Sequence, residues 1–444
     1  MQDMKEKQGR LEQLVEDLLS EAKKQGATSA EAGVSSDAGL SVNVRLGEVE
    51  TIEHTRDQGL GISVWFGHRK GSSSTSDFSG DAVRDAVRAA CNIARYTSED
   101  SCNGLADREL MAANPPDLDL YHPWNVEVEE AIALGIECED AARSVDPRIT
   151  NSEGASLNTH SGLQIYGNSH GFIGGYPSSR HSISCAVVGQ EDDAMQRDYW
   201  YSTARSHDTL EPPDLVGKKA GERTLARLGA RRIPTQEAPV IFQAEMAIGL
   251  MRSFIGAING SALYRHSSFL MDHLGKQVFP KFVRIHEQPL LPGGLASAAF
   301  DSEGVATRTK DFITGGILQS YVLDSYSARK LNMQTTANAG GVRNLHIEPG
   351  DMDLEALLRT MDKGLLVTEM MGSGLNMVTG DYSRGAAGFW VEDGEIQYPV
   401  EEITIAGNLR QMFAGLQAVG KDLDRRSSIR TGSWLVESMT IAGE

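Results

Sequence analysis

Cysteine is scarce in this chain of 444 residues. Cys91, Cys102, Cys138 and Cys185 stand far apart with no CxxC pair, which excludes a zinc ribbon or a dithiol redox motif and leaves reduced, structural thiols. Long apolar runs are missing too. Met1 to Lys7 leads into an amphipathic pattern rather than the apolar core of a signal peptide, and no later run reaches membrane-spanning length, so a cytoplasmic protein with no membrane partner is expected. Basic residues fall short of acidic ones, 42 Lys and Arg against 61 Asp and Glu, giving a formal charge of -19. Such a field repels phosphate backbones and argues against direct nucleic-acid binding.

Familiar catalytic motifs are absent as well. A zinc hydrolase needs closely spaced histidines with a glutamate as base, but His266 and His273 are seven residues apart and no carboxylate adjoins His266. There is no GxSxG elbow. In Ser179-Arg180-His181-Ser182 neighbouring side chains on a strand point to opposite faces, so adjacency implies no Ser–His contact. The glycine-rich stretches Asn338 to Arg343 and Gly380 to Gly388 lack the residue order that phosphate cradling requires. What remains are polar candidates for peptide or partner contact: Arg180 and His181, and Tyr382 and Arg384 within Asp381-Tyr382-Ser383-Arg384. Arg384 can hold a carboxylate bidentately or enter a buried ion pair.

The patterns that are present predict a multi-domain α+β protein. Leu11, Leu14, Val15, Leu18 and Leu19 recur at helical spacing and predict a helix ending near Gly26. Residues 39–76 alternate as an antiparallel meander, and Asp81 is expected to cap a helix reaching Tyr96 with Val83, Ala86, Val87, Ala90 and Ile93 on its buried face. A Pro- and Asp-rich segment from Asn114 to Leu120 reads as a linker or crossing loop. A helix over Asn125–Val145, strands between Ile149 and Ser206, and a helix from Pro212 to Leu228 follow. Boundaries are set at 1–113, 114–233 and 234–444, the last a mostly antiparallel sheet domain with core helices.

In that last domain Ala244 to Ile258 forms a helix apolar almost all round, interrupted by Glu245, Arg252 and Ser253. A hairpin turned by Gly315-Gly316, helices over Ser325–Leu331 and Leu354–Met361, a buried strand from Gly364 and a final helix over Leu409–Val419 are expected. Asp393-Gly394, between Gly388–Glu392 and Glu395–Val400, is the dipeptide of a type I′ hairpin turn. The small residues from Arg384 to Gly388 let another backbone come close.

These residues also carry a resemblance. The stretch Gly380 to Leu409, together with Arg45-Leu46-Gly47-Glu48-Val49-Glu50, Asn168-Ser169-His170-Gly171, Ala238-Pro239-Val240-Ile241-Phe242 and Phe300-Asp301-Ser302-Glu303-Gly304-Val305, resembles the PmbA/TldE branch of the TldD/PmbA family from about Leu11 onward. The resemblance implies a cytoplasmic, two-part metalloprotease acting on flexible peptides such as microcin leaders and antitoxins; an older description of the family is modulator of DNA gyrase. Zinc is implied for a TldD-type partner carrying HExxxH on the helix that aligns with Met251 to Gly256. Here Met251, Arg252 and Gly256 stand at the two histidine positions and the glutamate position, and Ile429 to Ser433 offers no sulfur ligand. The implied role is a non-catalytic subunit with no cofactor of its own, pairing with a TldD-type subunit or forming a homodimer in isolation. Separately, the Gly-rich, alternating strands suggest that an edge near the meander adds an extended peptide by main-chain hydrogen bonds. The alternative is a non-proteolytic binding protein regulating gyrase or a toxin–antitoxin system.

Overall fold

Ala30, Ala32, Val34, Leu40, Val42 and Val44 have one parity along a single long strand, and all are buried. A computed structural model, describing residues 2–443, shows what they are buried against. Strands β1 (Ser29–Arg45), β2 (Glu48–Phe66), β3 (Arg69–Thr75), β4 (Ile149–Asn168), β5 (Ile173–Glu191) and β6 (Ala194–Ala204) form one antiparallel sheet in the order β3-β2-β1-β4-β5-β6. Helices α1 (Gln2–Lys24) and α2 (Gly80–Tyr96) pack over Ala30–Val34, Leu60–Val64 and Leu163–Ile165, while α3 (Val128–Arg143) and α4 (Pro213–Ala226) pack over Leu40–Val44, Leu157 and Ile183–Val187. The paired registers put all of these apolar residues on one face. The other face carries glycine and polar side chains such as Ser35, Asp37, Gln164 and Ser178, the division expected of an antiparallel sheet with one dry side.

Residues 1–113 and 114–233 thus share one sheet, joined where β1 lies against β4 from Glu31 opposite Asn168 to Val44 opposite Ala155. The meander begins at Ser29 rather than 39, because the alternation continues through Ala30, Ala32 and Val34. Ser79, not Asp81, caps α2; its hydroxyl accepts from the Ala82 N–H, leaving Asp81 in the first turn beside the positive helix end. Ile93 is exposed, and Cys91 and Ala94 complete the buried stripe instead. The helix expected over Asn125–Val145 is shorter at both ends. The 114–120 segment crosses the molecule, burying Leu118 and Leu120 against Ala299 and Phe300.

The rest of the chain is built on β7 (Gln236–Phe242), α5 (Ala244–Ala257), α6 (Gly260–Tyr264), β8 (Ile285–Glu287), β9 (Lys310–Thr314), β10 (Ile317–Leu318), α7 (Ser325–Lys330), β11 (Leu345–Ile347), α8 (Leu354–Met361), β12 (Gly364–Met371), β13 (Asp381–Glu392), β14 (Glu395–Asn408), α9 (Leu409–Ala414), β15 (Leu416–Val419), β16 (Ile429–Arg430) and β17 (Trp434–Ala442). Its main sheet runs β14-β13-β12-β7-β17-β15, and β14 pairs again with β17. A smaller sheet runs β10-β9-β8-β11-β16. Phe254, Phe269, Phe279, Phe413 and Trp434 are fully buried in one cluster, each worth about 2–3 kcal/mol of burial. The turn residues Asp393 and Gly394 have φ of 53° and 73°, as a type I′ turn requires. The backbone that comes close to the small-residue run is the neighbouring strand β12: a Cβ on Gly388 would lie 1.9 Å from the Leu366 carbonyl oxygen. The expected final helix stops at Ala414, and Leu416–Val419 is a strand against β17.

Candidate functional site

The polar face of the long sheet is roofed by the C-terminal half, and among the cavities between them are two that gather arginine side chains. The larger, about 760 Å³, has a floor that includes Ser35, Asp37, His160, Gln164 and Tyr166 and a roof of Phe300, Asp301, Ser302 and Arg343. Its floor is fixed by cross-strand bonds: His160 Nε2 sits 3.2 Å from Asp37, and the Tyr166 hydroxyl donates to Glu31 at 3.1 Å. Burial pushes the phenols of Tyr166 and Tyr176 above their ordinary range, so both stay neutral.

The roof is a loop pinned by carboxylates. Asp301 accepts from the N–H groups of Glu303, Val305 and Ala339 at 2.9–3.0 Å, yet burial holds its carboxyl above the usual value. Glu303 accepts from both the N–H and hydroxyl of Ser325, and burial pushes it up to about 7. Behind Arg343 the fully buried Glu287 accepts from Lys310, from Asn338 and from the Arg343 N–H, which orders the Asn338–Arg343 loop. The Arg343 guanidinium donates to the Ala339 carbonyl at 3.4 Å, and its buried Nε has no partner.

The smaller cavity, about 360 Å³, lies on the same sheet face between Arg180, Tyr199 and Tyr201 and the α5 residues Glu245, Ile248 and Arg252, with Asp424 to Ser428 closing a side. Here the polar residues that interrupt α5 find their use, since the helix sends its apolar sides into the core and Arg252 toward the sheet. Arg426 stacks on Trp200 with its guanidinium carbon 3.6 Å from the ring centroid and bonds Asp424 and Glu245.

The structure therefore brings Arg180 and Arg252 to one cavity and separates the other candidates. His181 points through the opposite face, buried, its Nε2 2.8 Å from the His122 carbonyl and its ring edge-on to Trp124. Burial lowers its pKa, keeping it neutral. Tyr382 is buried with its hydroxyl on Met370 Sδ, and Arg384 donates to the Gly372 carbonyl; neither lines these cavities. Met251 is fully buried in the apolar core, and a Cβ on Gly256 would meet the Met377 methyl at 3.1 Å. These residues do not fit a zinc ion, which needs imidazole, thiolate or carboxylate donors. No group of three or more His, Cys, Asp or Glu placed to hold a metal occurs among the described residues. Arg343 and Arg426 escaped the sequence reading because their setting is assembled from segments remote in sequence. Tyr199 and Tyr201 lie within the 149–206 region expected to form strands.

Comparison with known proteins matches this chain along nearly its whole length. Models of the PmbA/TldA metallopeptidase domain 1, central domain and C-terminal domain match residues 30–94, 121–228 and 235–443. It is 50% identical to the metalloprotease PmbA homolog of Haemophilus influenzae, covering 99% of this chain and 98% of that one. It is 51% identical to metalloprotease PmbA of Escherichia coli O157:H7, covering 94% and 92%. A crystal structure from Bacteroides thetaiotaomicron, named for modulation of DNA gyrase, superposes with a TM-score of 0.92 at 28% identity over 97% of this chain and 98% of that one. TldE of Thermococcus kodakarensis shares the fold, with a TM-score of 0.80 at 20% identity over 97% and 100%.

Proposed function

The chain belongs to the TldD/PmbA family of metallopeptidases, and from that premise we propose that it is the non-catalytic subunit of a cytoplasmic peptide-degrading complex. It pairs with a zinc-bearing TldD-type subunit and supplies part of the path along which flexible peptides reach that partner's metal. The observation that carries this reading is α5: the position aligned with the catalytic glutamate is the cation Arg252, which faces the groove and can neither ligate zinc nor act as general base. No described helix is long and apolar enough to cross a membrane.

The peptide path is supported by the edge of the long sheet. Leu60–Phe66 of β2 pairs with β3, but Glu48–Gln58 pairs only with β1 and is exposed throughout. An extended peptide can add there through main-chain hydrogen bonds without regard to sequence, next to Gly59, Gly61 and Ser74–Ser76 at the wall of the larger cavity. Glu50, Glu53, Arg56 and Asp57 discourage the same edge from pairing with itself.

Peptide cleavage and zinc content measured for this chain, a TldD-type subunit and their mixture test the reading. Cleavage only in the mixture, with zinc only in the partner, is expected. Stoichiometric zinc and activity in this chain alone would overturn it, and a chain that forms only homodimers would favour a non-proteolytic regulator.

A further inference from the structure

We propose that the smaller cavity is a carboxylate subsite, in which Arg180 and Arg252 hold an anionic group of a peptide lying in the groove. The inference rests on the reading above and adds to it the chemical class of peptide that is preferred.

Most of the charges around this cavity are already paired. Arg223 pairs with Asp198 and Glu245, Arg227 with Asp198 and Glu369, and Arg426 with Glu245 and Asp424, all at 2.5–3.7 Å. The two carboxylates lining the cavity, Glu245 and Asp424, are thus already engaged. Arg180 and Arg252 are not. Arg180 is exposed, and its one side-chain bond runs from Nε to the Thr203 hydroxyl at 3.1 Å, leaving both terminal nitrogens free to donate. Arg252 is exposed and enters no ion pair or hydrogen bond among the described residues. In a chain of net charge -19 with 61 acidic residues, two guanidiniums lining one cavity with neither paired to a carboxylate are a specific arrangement. Their planar donor forks match a carboxylate bidentately.

The walls suit the same ligand. Tyr199 and Tyr201 add phenols that burial keeps protonated, hence able to donate. Arg426, stacked on Trp200 and Tyr201, fixes the far side. Placement links the subsite to the groove: Tyr176 and Ser178 line the larger cavity, and Arg180 follows at the next same-face position of β5. Strand spacing puts Arg180 about 13 Å from Tyr176, a span of about four residues of extended peptide. A peptide passing over the larger cavity therefore presents a carboxylate, from a side chain or from its C-terminus, to both arginines.

The test is peptide binding by the chain assembled with its TldD-type partner, read by fluorescence anisotropy with three labelled octapeptides. One is blocked at both ends and carries a glutamate, one has glutamine in its place, and one has that glutamine with a free C-terminal carboxylate. At least one carboxylate peptide is expected to bind about tenfold tighter than the blocked glutamine peptide. Which of the two gains identifies the source of the carboxylate. Arg180→Gln or Arg252→Gln should reduce that advantage to less than about twofold, and Arg252→Lys should retain part of it. Thermal melts matching the parent certify that the variants fold. Equal binding of the three peptides, or an advantage that survives the Arg180→Gln/Arg252→Gln double variant, overturns the subsite while leaving the peptide path standing. Failure of all three peptides to bind the parent assembly removes both.

Discussion

In the C-terminal sheet β14 reaches round to pair with β17, whereas in the N-terminal sheet β3 covers only part of β2 and leaves its Glu48–Gln58 half with no outer neighbour. The first arrangement ties Thr404–Ala406 to Thr440–Ala442 and surrounds an aromatic core; the second leaves main-chain donors and acceptors free beside a polar face. The contrast separates holding from offering. Sequence changes in the closed region should cost stability, and changes along the open edge should cost binding.

The largest effect is expected from Lys310→Met. It leaves Glu287, fully buried, without its cation and should destabilise by about 3–5 kcal/mol in a denaturant titration. Next comes Gly388→Val, where the new side chain meets the Leu366 carbonyl and must part β12 from β13, at about 3 kcal/mol in the same measurement. Glu303 supplies a pH-dependent term. Burial raises its carboxyl from 4.5 to about 7, so the folded chain keeps a proton that the unfolded chain releases. Its contribution is fully present below pH 4.5 and is lost as pH rises through about 7. Glu303→Gln should flatten that fall, worth at most about 3 kcal/mol, in unfolding curves taken across the window. The smallest stability change is expected on the open edge. Thr51→Pro and Ile52→Pro lie at successive positions, so one of them removes an outward N–H. That one should shift the unfolding midpoint little while weakening peptide binding several-fold in the assembled complex. Equal stability losses in the closed and open regions would break the comparison.

Periodicity made much of this architecture legible. The alternation of β4 and β5, the Asp393-Gly394 turn, and the apolar α5 with its three polar interruptions could all be read in advance. What stayed hidden has physical reasons. Ile285–Glu287, Leu345–Ile347 and Ile429–Arg430 are too short to show a period, so the smaller sheet was invisible. Leu416–Val419 continued the apolar run of α9 and could be told from helix only by its pairing with β17. At the site, Arg180 and Arg252 were each singled out, but their meeting depends on how the C-terminal half lies over the sheet. His181 shared Arg180's sequence neighbourhood and lost the site through strand alternation alone.

The position of β17 also governs when this molecule can become itself. Phe242 lies opposite Trp434, so a strand made early waits for one made nearly two hundred residues later. Until then β7 has β12 on one side and nothing on the other, with Val240 and Phe242 lacking the Trp434 layer that covers them. During synthesis the C-terminal half therefore passes through a stage in which its central strand is an exposed, aggregation-prone edge. For that interval the free edge of β7 is open to pairing with another copy, and only the last strand of the chain closes it.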